Sequence, residues 1–244
     1  MPFRTVILAC LLACLAGCAT TAPPVTTPEA MLKEGERLYA KKNYEDAIAQ
    51  WKKVKESDAV AVLSTQAELR IADAQFANKN YIEAASSYEN FRKLHPNHEK
   101  TGYALYRLGL SYFYQIDGID TEQTPVKNTV TMFETFLSQY PASEFAADVR
   151  AKLETCRIKQ LQYELYIARF YFRTEKYPAA IKRLEEALVQ FPKSPIHDET
   201  LFCLGQAYLK NGEKAKGEQV FTRLFTEFPS SKYVSKGKNL LKKI

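Results

Sequence analysis

The chain has 244 residues and a formal net charge of +6, with 34 Lys or Arg against 28 Asp or Glu. This mildly basic balance is spread along the sequence and lacks the concentrated basic stripe typical of nucleic-acid-binding proteins. We therefore expect no nucleic acid partner.

The first 17 residues have the features of a bacterial export signal. Arg4 precedes a short apolar segment, Val6 to Ala16, which is too short to cross a hydrocarbon core of ~30 Å as a helix. A charged start followed by such an apolar segment is typical of a signal peptide, so residues 1–17 are predicted to be removed.

The end of this segment, Leu15-Ala16-Gly17-Cys18, resembles a lipobox. Cleavage there would leave Cys18 at the N-terminus, carrying diacylglycerol and a further acyl chain such as palmitate, and several chains give stable anchoring. The alternatives are an ordinary secretory signal and a second lipobox at Leu11-Leu12-Ala13-Cys14. Ala19, in place of the Asp that retains enteric lipoproteins at the inner membrane, favours the periplasmic leaflet of the outer membrane. The covalent lipid is the only non-protein group expected.

Residues 18–28 are predicted to form an extended tether. The run from Ala19 to Pro28, ATTAPPVTTP, has little to bury. At ~3.1 Å per residue it spans about 30 Å. From Glu29 onward the pattern is helical.

The remaining chain repeats itself at an offset of 37 residues. Small, aromatic and proline positions share this offset: Gly35, Ala72 and Gly109; Trp51 and Tyr88; Ala168 and Gly205; Leu184 and Phe221; Pro192 and Pro229. Each set of residues at this offset forms a column of equivalent positions. Because several independent columns share one period, the sequence indicates repeated helix-turn-helix units. The unit resembles a tetratricopeptide (TPR) repeat.

Each unit has the residues expected of a helical hairpin. A small residue on the first helix allows close approach of the second, and the aromatic column fills the gap to the next unit. The prolines that should end the second helices are Pro96, Pro141, Pro192 and Pro229. Serines two residues later, Ser143, Ser194 and Ser231, are expected N-caps, with Pro195 at a first helical position.

Two insertions break the period. Eight extra residues fall in a loop at 115–125, and fourteen lengthen one helix from Ser143 to Glu175. Fourteen residues are close to four turns, so the long helix should keep its apolar face in phase. The prediction is an all-α, right-handed superhelical solenoid of five TPR-like repeats: an N-terminal group of three at 29–142, and a C-terminal part at 143–244 with the long helix, two repeats and a terminal helix.

The sequence contains no recognisable motif for catalysis or metal binding. No nucleophile motif, phosphate-binding glycine loop or supported carboxylate pair is present, so we expect no enzyme. His95 and His98 flank a proline turn without a third ligand, which favours loop residues over a metal site. After processing, Cys156 and Cys203 remain; two buried thiols are favoured over a disulfide.

The combination of lipobox, tether, five units, loop and long helix resembles the BamD family, the YfiO- or ComL-type TPR lipoproteins of the outer-membrane β-barrel assembly machinery. The most specific matches are Gln123-Thr124-Pro125, Phe133, Tyr140-Pro141-Ala142-Ser143, Tyr163-Glu164, Phe170-Tyr171, Tyr177, Ala179-Ala180, Arg183 and Phe191-Pro192. Asp120-Thr121-Glu122 departs from the family's Asp-Arg-Asp, so any contact through that arginine is in doubt.

The resemblance implies a scaffold for outer-membrane protein assembly. Its C-terminal repeats would bind a BamA-type barrel insertase, with accessory lipoproteins as further partners, and Arg183 would make a partner contact. A TPR lipoprotein for pilus secretin assembly, or one for Tol-Pal and envelope coordination, is the alternative; a cell-wall hydrolase would need an active site.

The resemblance further implies that the N-terminal repeats receive the C-termini of unfolded outer-membrane proteins, which commonly end in an aromatic residue. Tyr39, Phe76 and Phe113 form one column at a spacing of 37, with Tyr103 and Tyr106 nearby. On the first helices they could line a concave groove for such a peptide. The alternative is that they belong to the core of each repeat.

Overall fold

The computed structural model describes residues 27–192 and 194–243. Within those ranges it contains eleven α-helices and no β-strand, which confirms the predicted all-α class. The helices are α1 Pro28–Ala40, α2 Tyr44–Glu56, α3 Ala61–Ala77, α4 Tyr81–Leu94, α5 Thr101–Phe113, α6 Thr124–Gln139, α7 Ala146–Arg173, α8 Tyr177–Gln190, α9 His197–Lys210, α10 Lys214–Glu227 and α11 Tyr233–Leu241.

Consecutive helices pack in pairs, and each pair packs on the next. Units 1 to 5 are α1/α2, α3/α4, α5/α6, α7/α8 and α9/α10, with α11 resting on both helices of unit 5. This is the arrangement expected of a TPR-like solenoid, in which each repeat buries its apolar face against its neighbours. None of the helices that the structure describes is both long and apolar enough to cross a membrane.

A small residue on the first helix faces a large one on the second in several units. A Cβ on Gly35 would overlap the Trp51 indole, one on Gly109 would overlap the Phe133 ring, and one on Gly205 would lie 2.8 Å from Phe221. These large side chains are fully buried, and Trp51 Nε1 also donates a hydrogen bond of 3.1 Å to the carbonyl of Leu32. The close approach of the paired helices therefore depends on the absence of a side chain at these glycines.

The ends of the second helices lie where the prolines predict them, but the starts of the first helices do not. All four prolines predicted to end second helices lie two residues beyond the last helical residue, as expected. The first helices, however, begin later than predicted. Ser143 Oγ accepts from the backbone N of Phe145 in a turn that precedes α7, and Pro195 lies in the turn before α9. These serines are therefore not N-caps, because a short turn separates them from the helix.

The start of the folded body is one residue earlier than predicted. Helix α1 begins at Pro28, with the Thr27 side chain accepting from the backbone N of Ala30. Proline is suited to the first turn because its missing N–H has no helical partner there. The loop of unit 3 spans residues 114–123, since Thr124 and Pro125 already belong to α6. The signal, Cys18 and the rest of the tether lie outside the described residues.

The predicted long helix is present as α7, but its apolar face is not continuous. Its buried positions are Ala146, Val149, Leu153, Cys156, Leu161, Leu165 and Ala168. All steps are three or four residues except the step of five from Cys156 to Leu161. At about 100° per residue, this turns the buried face by roughly a quarter of a turn. The first half packs on α6 and the second on α8, so the expectation of a single in-phase face is wrong.

The hydrophobic core is divided into two groups of clusters at the point where the buried face of α7 turns. Three clusters of buried side chains join units 1 to 3 and the first half of α7. Three others join the second half of α7 to units 4 and 5 and α11. Between them, beside Arg157, Glu134 and Phe191, lies a cleft of about 520 Å³.

Candidate functional site

The predicted aromatic column lies at the ends of the first helices and is half-buried. Tyr39 packs edge-on against Tyr44 with ring centroids 5.3 Å apart, and Phe76 packs in the same way on Tyr81 at 5.2 Å. Phe113 is part of the cluster between α5, α6 and α7. Each ring is therefore packed against its neighbours and only partly exposed.

A polar network is buried between units 2 and 3, directly beside this column. Asp73 on α3 is only 8% exposed. Its Oδ1 accepts hydrogen bonds from the hydroxyls of Tyr88, at 2.6 Å, and Tyr103, at 2.8 Å. Arg107 Nε donates to the Tyr88 hydroxyl at 3.1 Å. Tyr88 therefore bridges a guanidinium and a carboxylate that do not touch each other.

The tyrosines of this network stay protonated at neutral pH. Burial, followed by the nearby Asp73 carboxylate, raises the pKa of Tyr88 and of Tyr103. Both phenols can then act as donors to Asp73, which makes a buried carboxylate tolerable in an apolar interface.

Arg107 is fixed on the aromatic column by stacking. Its Cζ lies 3.7 Å from the centroid of the Phe76 ring and 5.7 Å from that of Tyr103. Within the part of the chain that the structure describes, its two Nη atoms donate no hydrogen bond, and neither is sealed from solvent. The side chain is thus held by Nε and by its face while its outer edge stays open.

Tyr106, the last predicted groove residue, connects unit 3 to the long helix. Its ring stacks on Phe145 with centroids 4.4 Å apart, and its hydroxyl donates to Asp148 Oδ2 at 2.9 Å. Burial and that hydrogen bond raise the pKa of Tyr106 to about 12. Tyr106 therefore acts mainly in packing α5 against α7.

A cleft of about 500 Å³ opens next to the network. It crosses α3, α5 and the turn before α7, and its walls include Leu69, Asp73, Gly102, Tyr103, Tyr140 and Phe145. Tyr103 joins this cleft to the network, whereas Arg107 and Phe76 lie beside the cleft and are not part of its walls.

Arg183, the predicted partner contact, lies on α8 and pairs with Glu164 of α7. Its side chain is 35% exposed, so it links the two helices of unit 4 while remaining accessible. Two aromatic side chains on the second half of α7, Tyr166 and Phe170, are also exposed, at 41% and 48%.

The basic charge was expected to be spread along the chain, but it is concentrated near the C-terminus. Residues 210–244 contain 9 basic and 3 acidic residues, so this last segment carries a net charge of +6, the whole of the chain's excess. Lys232 and Lys236 lie over the Tyr233 ring, and Lys238 over Phe225. The C-terminal end of the solenoid is consequently its basic end.

The histidines and cysteines have local roles. His95 Nε2 lies 2.7 Å from Glu68 Oε2, and His98 Nδ1 accepts from the backbone N of Lys100. In residues 27–192 and 194–243 no cluster of His, Cys, Asp and Glu could hold a metal ion. Cys156 is buried and Cys203 half-buried, both as free thiols, and burial raises the pKa of Cys156 to about 11.

The network of Asp73, Tyr88 and Arg107 was not predicted from the sequence. Its members come from three helices and are separated by 15 and 19 residues, which follows no repeat period. One signal was available: Asp73 stands among Ile71, Ala72 and Ala74, so a carboxylate falls within an apolar stretch.

Comparison with known proteins identifies the family. A sequence model of the YfiO family, described as outer membrane lipoprotein, matches residues 24–224. Among curated proteins, an outer membrane protein assembly factor BamD of Rickettsia prowazekii is 28% identical over 219 residues, covering 90% of this chain and 86% of that protein. The BamD proteins of Vibrio cholerae and Caulobacter vibrioides are 26% and 24% identical, covering 87% and 95% of this chain and 93% and 78% of their own lengths. The chain therefore belongs to the YfiO family of outer membrane lipoproteins.

Proposed function

We propose that this chain is a non-catalytic, lipid-anchored scaffold in the assembly of outer-membrane β-barrel proteins. The observation that carries the proposal is the family match over residues 24–224, together with relatives along most of the chain that are named outer membrane protein assembly factors. A solenoid of packed hairpins suits this role because it offers an extended, preformed surface to several partners at once.

The N-terminal group is proposed to bind unfolded clients through their C-terminal segments. Support comes from the half-buried rings of Tyr39 and Phe76, from the open edge of Arg107 and from the adjacent cleft. Aromatic walls give large contact area to an extended peptide that ends in an aromatic residue.

The C-terminal part is proposed to bind a BamA-type barrel insertase, with accessory lipoproteins nearby. Exposed aromatic rings at Tyr166 and Phe170 and the accessible Arg183 on the neighbouring helix provide the mixture of apolar and charged groups found in protein interfaces. The basic end, residues 210–244, would favour an acidic partner surface.

Attachment to the outer membrane is proposed to depend on lipid at Cys18. The lipobox supports this, and acyl chains on Cys18 would hold the protein at the membrane while the solenoid lies in the periplasm. Replacing Cys18 with Ala should release the protein from the membrane fraction without loss of helical circular dichroism. Retention of the variant in washed outer membranes would contradict the anchor.

Purification from envelope extract tests the function as a whole. The affinity-tagged full chain should recover a barrel insertase and accessory lipoproteins, and mass spectrometry would identify them. A matched variant, Tyr166→Glu with Phe170→Glu, replaces two exposed rings on one helix. It should no longer recover the insertase, while its far-UV circular dichroism spectrum stays unchanged. Recovery of a secretin or of Tol-Pal components in place of the insertase would support the alternative TPR lipoproteins and refute the proposal.

A further inference from the structure

We propose that Arg107 binds the C-terminal carboxylate of the client peptide. The inference rests on the proposed client-binding function and assigns one chemical group of the client to one residue of the groove. The network has an unusual feature: a largely buried arginine whose two terminal nitrogens have no partner among the described residues.

The guanidinium is held in place before any ligand arrives. Its Nε donates to Tyr88, its face lies on Phe76, and Tyr88 is in turn fixed by Asp73. An arginine constrained in this way loses little side-chain entropy when it binds a further group. What remains open is one edge with two Nη atoms, the edge that forms paired hydrogen bonds with a carboxylate.

The surrounding charges favour a single negative charge. Asp73 offsets Arg107 through the Tyr88 bridge, and the neighbouring Arg70 is already paired with Glu36 at 2.7 Å. The site therefore has no surplus of positive charge for a phosphate or another multiply charged anion. One carboxylate can use the free Nη donors, because Asp73 is already held by the hydroxyls of Tyr88 and Tyr103.

The side chains around Arg107 favour an aromatic residue next to that carboxylate. Phe76, Tyr81 and Tyr114 form a cluster of rings with centroids 5.2–5.7 Å apart. Tyr39 lies within electrostatic range of Arg107, and its raised pKa, caused mainly by burial, keeps its hydroxyl protonated as a further donor. A carboxylate directly attached to a residue with an aromatic side chain is the chemistry of a chain terminus, whereas a Glu or Asp side chain would not place a ring there.

Peptides with and without the terminal charge test the proposal. Two fluorescent peptides of one sequence, both ending in Phe, differ only in a free carboxylate or a carboxamide, and binding to the full mature chain in detergent is followed by anisotropy. The carboxylate peptide should bind about tenfold more tightly, as expected for one charge-assisted, bidentate interaction. Arg107→Gln should reduce this ratio of affinities to near one. Arg107→Lys keeps the positive charge but lacks the two parallel N–H donors of a guanidinium, so it should leave an intermediate ratio.

Arg37→Gln is the matched control, because it removes the same charge from an exposed residue on α1 that is already paired with Glu34. It should keep the tenfold ratio. Equal binding of both peptides to the unmodified chain would overturn the role of Arg107 and leave the client-binding function in place. The same ratio in Arg107→Gln as in the unmodified chain would also overturn it. Absence of binding by both peptides would refute client binding at this surface, and the inference with it.

Discussion

At the scale of single residues, the hairpins depend on glycine and aromatic pairs. The paired positions are 16 residues apart for Gly35 and Trp51 and for Gly205 and Phe221, and 24 apart for Gly109 and Phe133, where the loop adds eight. In unit 4 the equivalent positions hold Ala168 and Leu184, both buried. Unit 2 combines the two kinds, with buried Ala72 and Tyr88 at the same spacing, so the small position is glycine or alanine and the large position is an aromatic ring or leucine.

Substitution of Gly109 by Ala should destabilise the protein by about 1–3 kcal/mol, because the added Cβ overlaps the Phe133 ring in a filled core. Combining Gly109→Ala with Phe133→Leu recreates the pair found in unit 4 and should recover part of the loss. Urea denaturation of both single variants and the double variant would measure this coupling, expected at about 1 kcal/mol or more. Strict additivity would show that the two side chains do not compete for space.

Alkaline pH should weaken the fold through its tyrosines. Above pH 10.0, the ordinary pKa of tyrosine, the unfolded chain releases phenol protons, whereas Tyr106 keeps its proton until about pH 12. The folded state then binds more protons than the unfolded state, so the free energy of unfolding falls as pH rises through this range. Urea midpoints between pH about 9 and about 12 would measure the fall.

Tyr106→Phe is the control for this effect. The variant lacks the titrating hydroxyl and should be less stable at neutral pH because Asp148 Oδ2 loses a donor, while Lys152 still pairs with Oδ1. Its stability should decline less steeply above pH 10.0 than that of the unmodified chain. An equally steep decline would show that Tyr106 does not contribute.

At the residue scale, the sequence predicts contacts that recur in every hairpin but not contacts that occur once. The spacing of 37 placed the small, aromatic and proline columns, because each is repeated by the same local contact in every hairpin. The network of Asp73, Tyr88 and Arg107 occurs in one place only, so no period reveals it. Whether Phe76 faces a groove or the core could not be derived either, since its ring does both.

At the scale of elements, hairpin number, loop position and the long helix were predictable from the sequence, and the orientation of α7 was not. Breaks in the period locate inserted residues, but they do not specify which neighbour each turn of the lengthened helix contacts. The five-residue step from Cys156 to Leu161 becomes apparent only when α6 and α8 are seen to take different faces.

The ion pair between α7 and α8 allows a test of the partner contact at Arg183. Arg183→Glu should weaken insertase binding and also lose the pair with Glu164. The double variant Glu164→Arg, Arg183→Glu restores an ion pair between the helices with reversed positions. If Arg183 contacts the partner, the double variant should still bind at least about tenfold more weakly in titration calorimetry. Full recovery of binding would reduce Arg183 to a structural role within unit 4.

At the scale of the whole molecule, charge and attachment are at opposite ends of the chain. The proposed lipid is at Cys18, whereas the net charge of +6 lies in residues 210–244. Electrostatic attraction acts over about 8 Å at physiological salt, so a basic end mainly affects how fast a nearby acidic partner is captured. The tether and the solenoid together determine which partners come within that range.

Neutralising three lysines at the basic end should slow association with the insertase. We expect Lys232→Gln, Lys236→Gln and Lys238→Gln together to lower the association rate about tenfold at low salt and to flatten its salt dependence. The matched control neutralises three exposed lysines in the turns of units 1 and 2: Lys41, Lys42 and Lys79. Surface plasmon resonance with the insertase's periplasmic domains would compare both variants. An equal effect of the two sets would indicate general rather than directed attraction.

The quarter-turn in α7 has a mechanical consequence. Among the helices that the structure describes, α7 is the element that packs extensively on both halves of the molecule. Because the buried face turns between Cys156 and Leu161, one continuous helix belongs to the cores of both halves and holds them together. The separation of the proposed client surface from the proposed insertase surface therefore depends on this single helix.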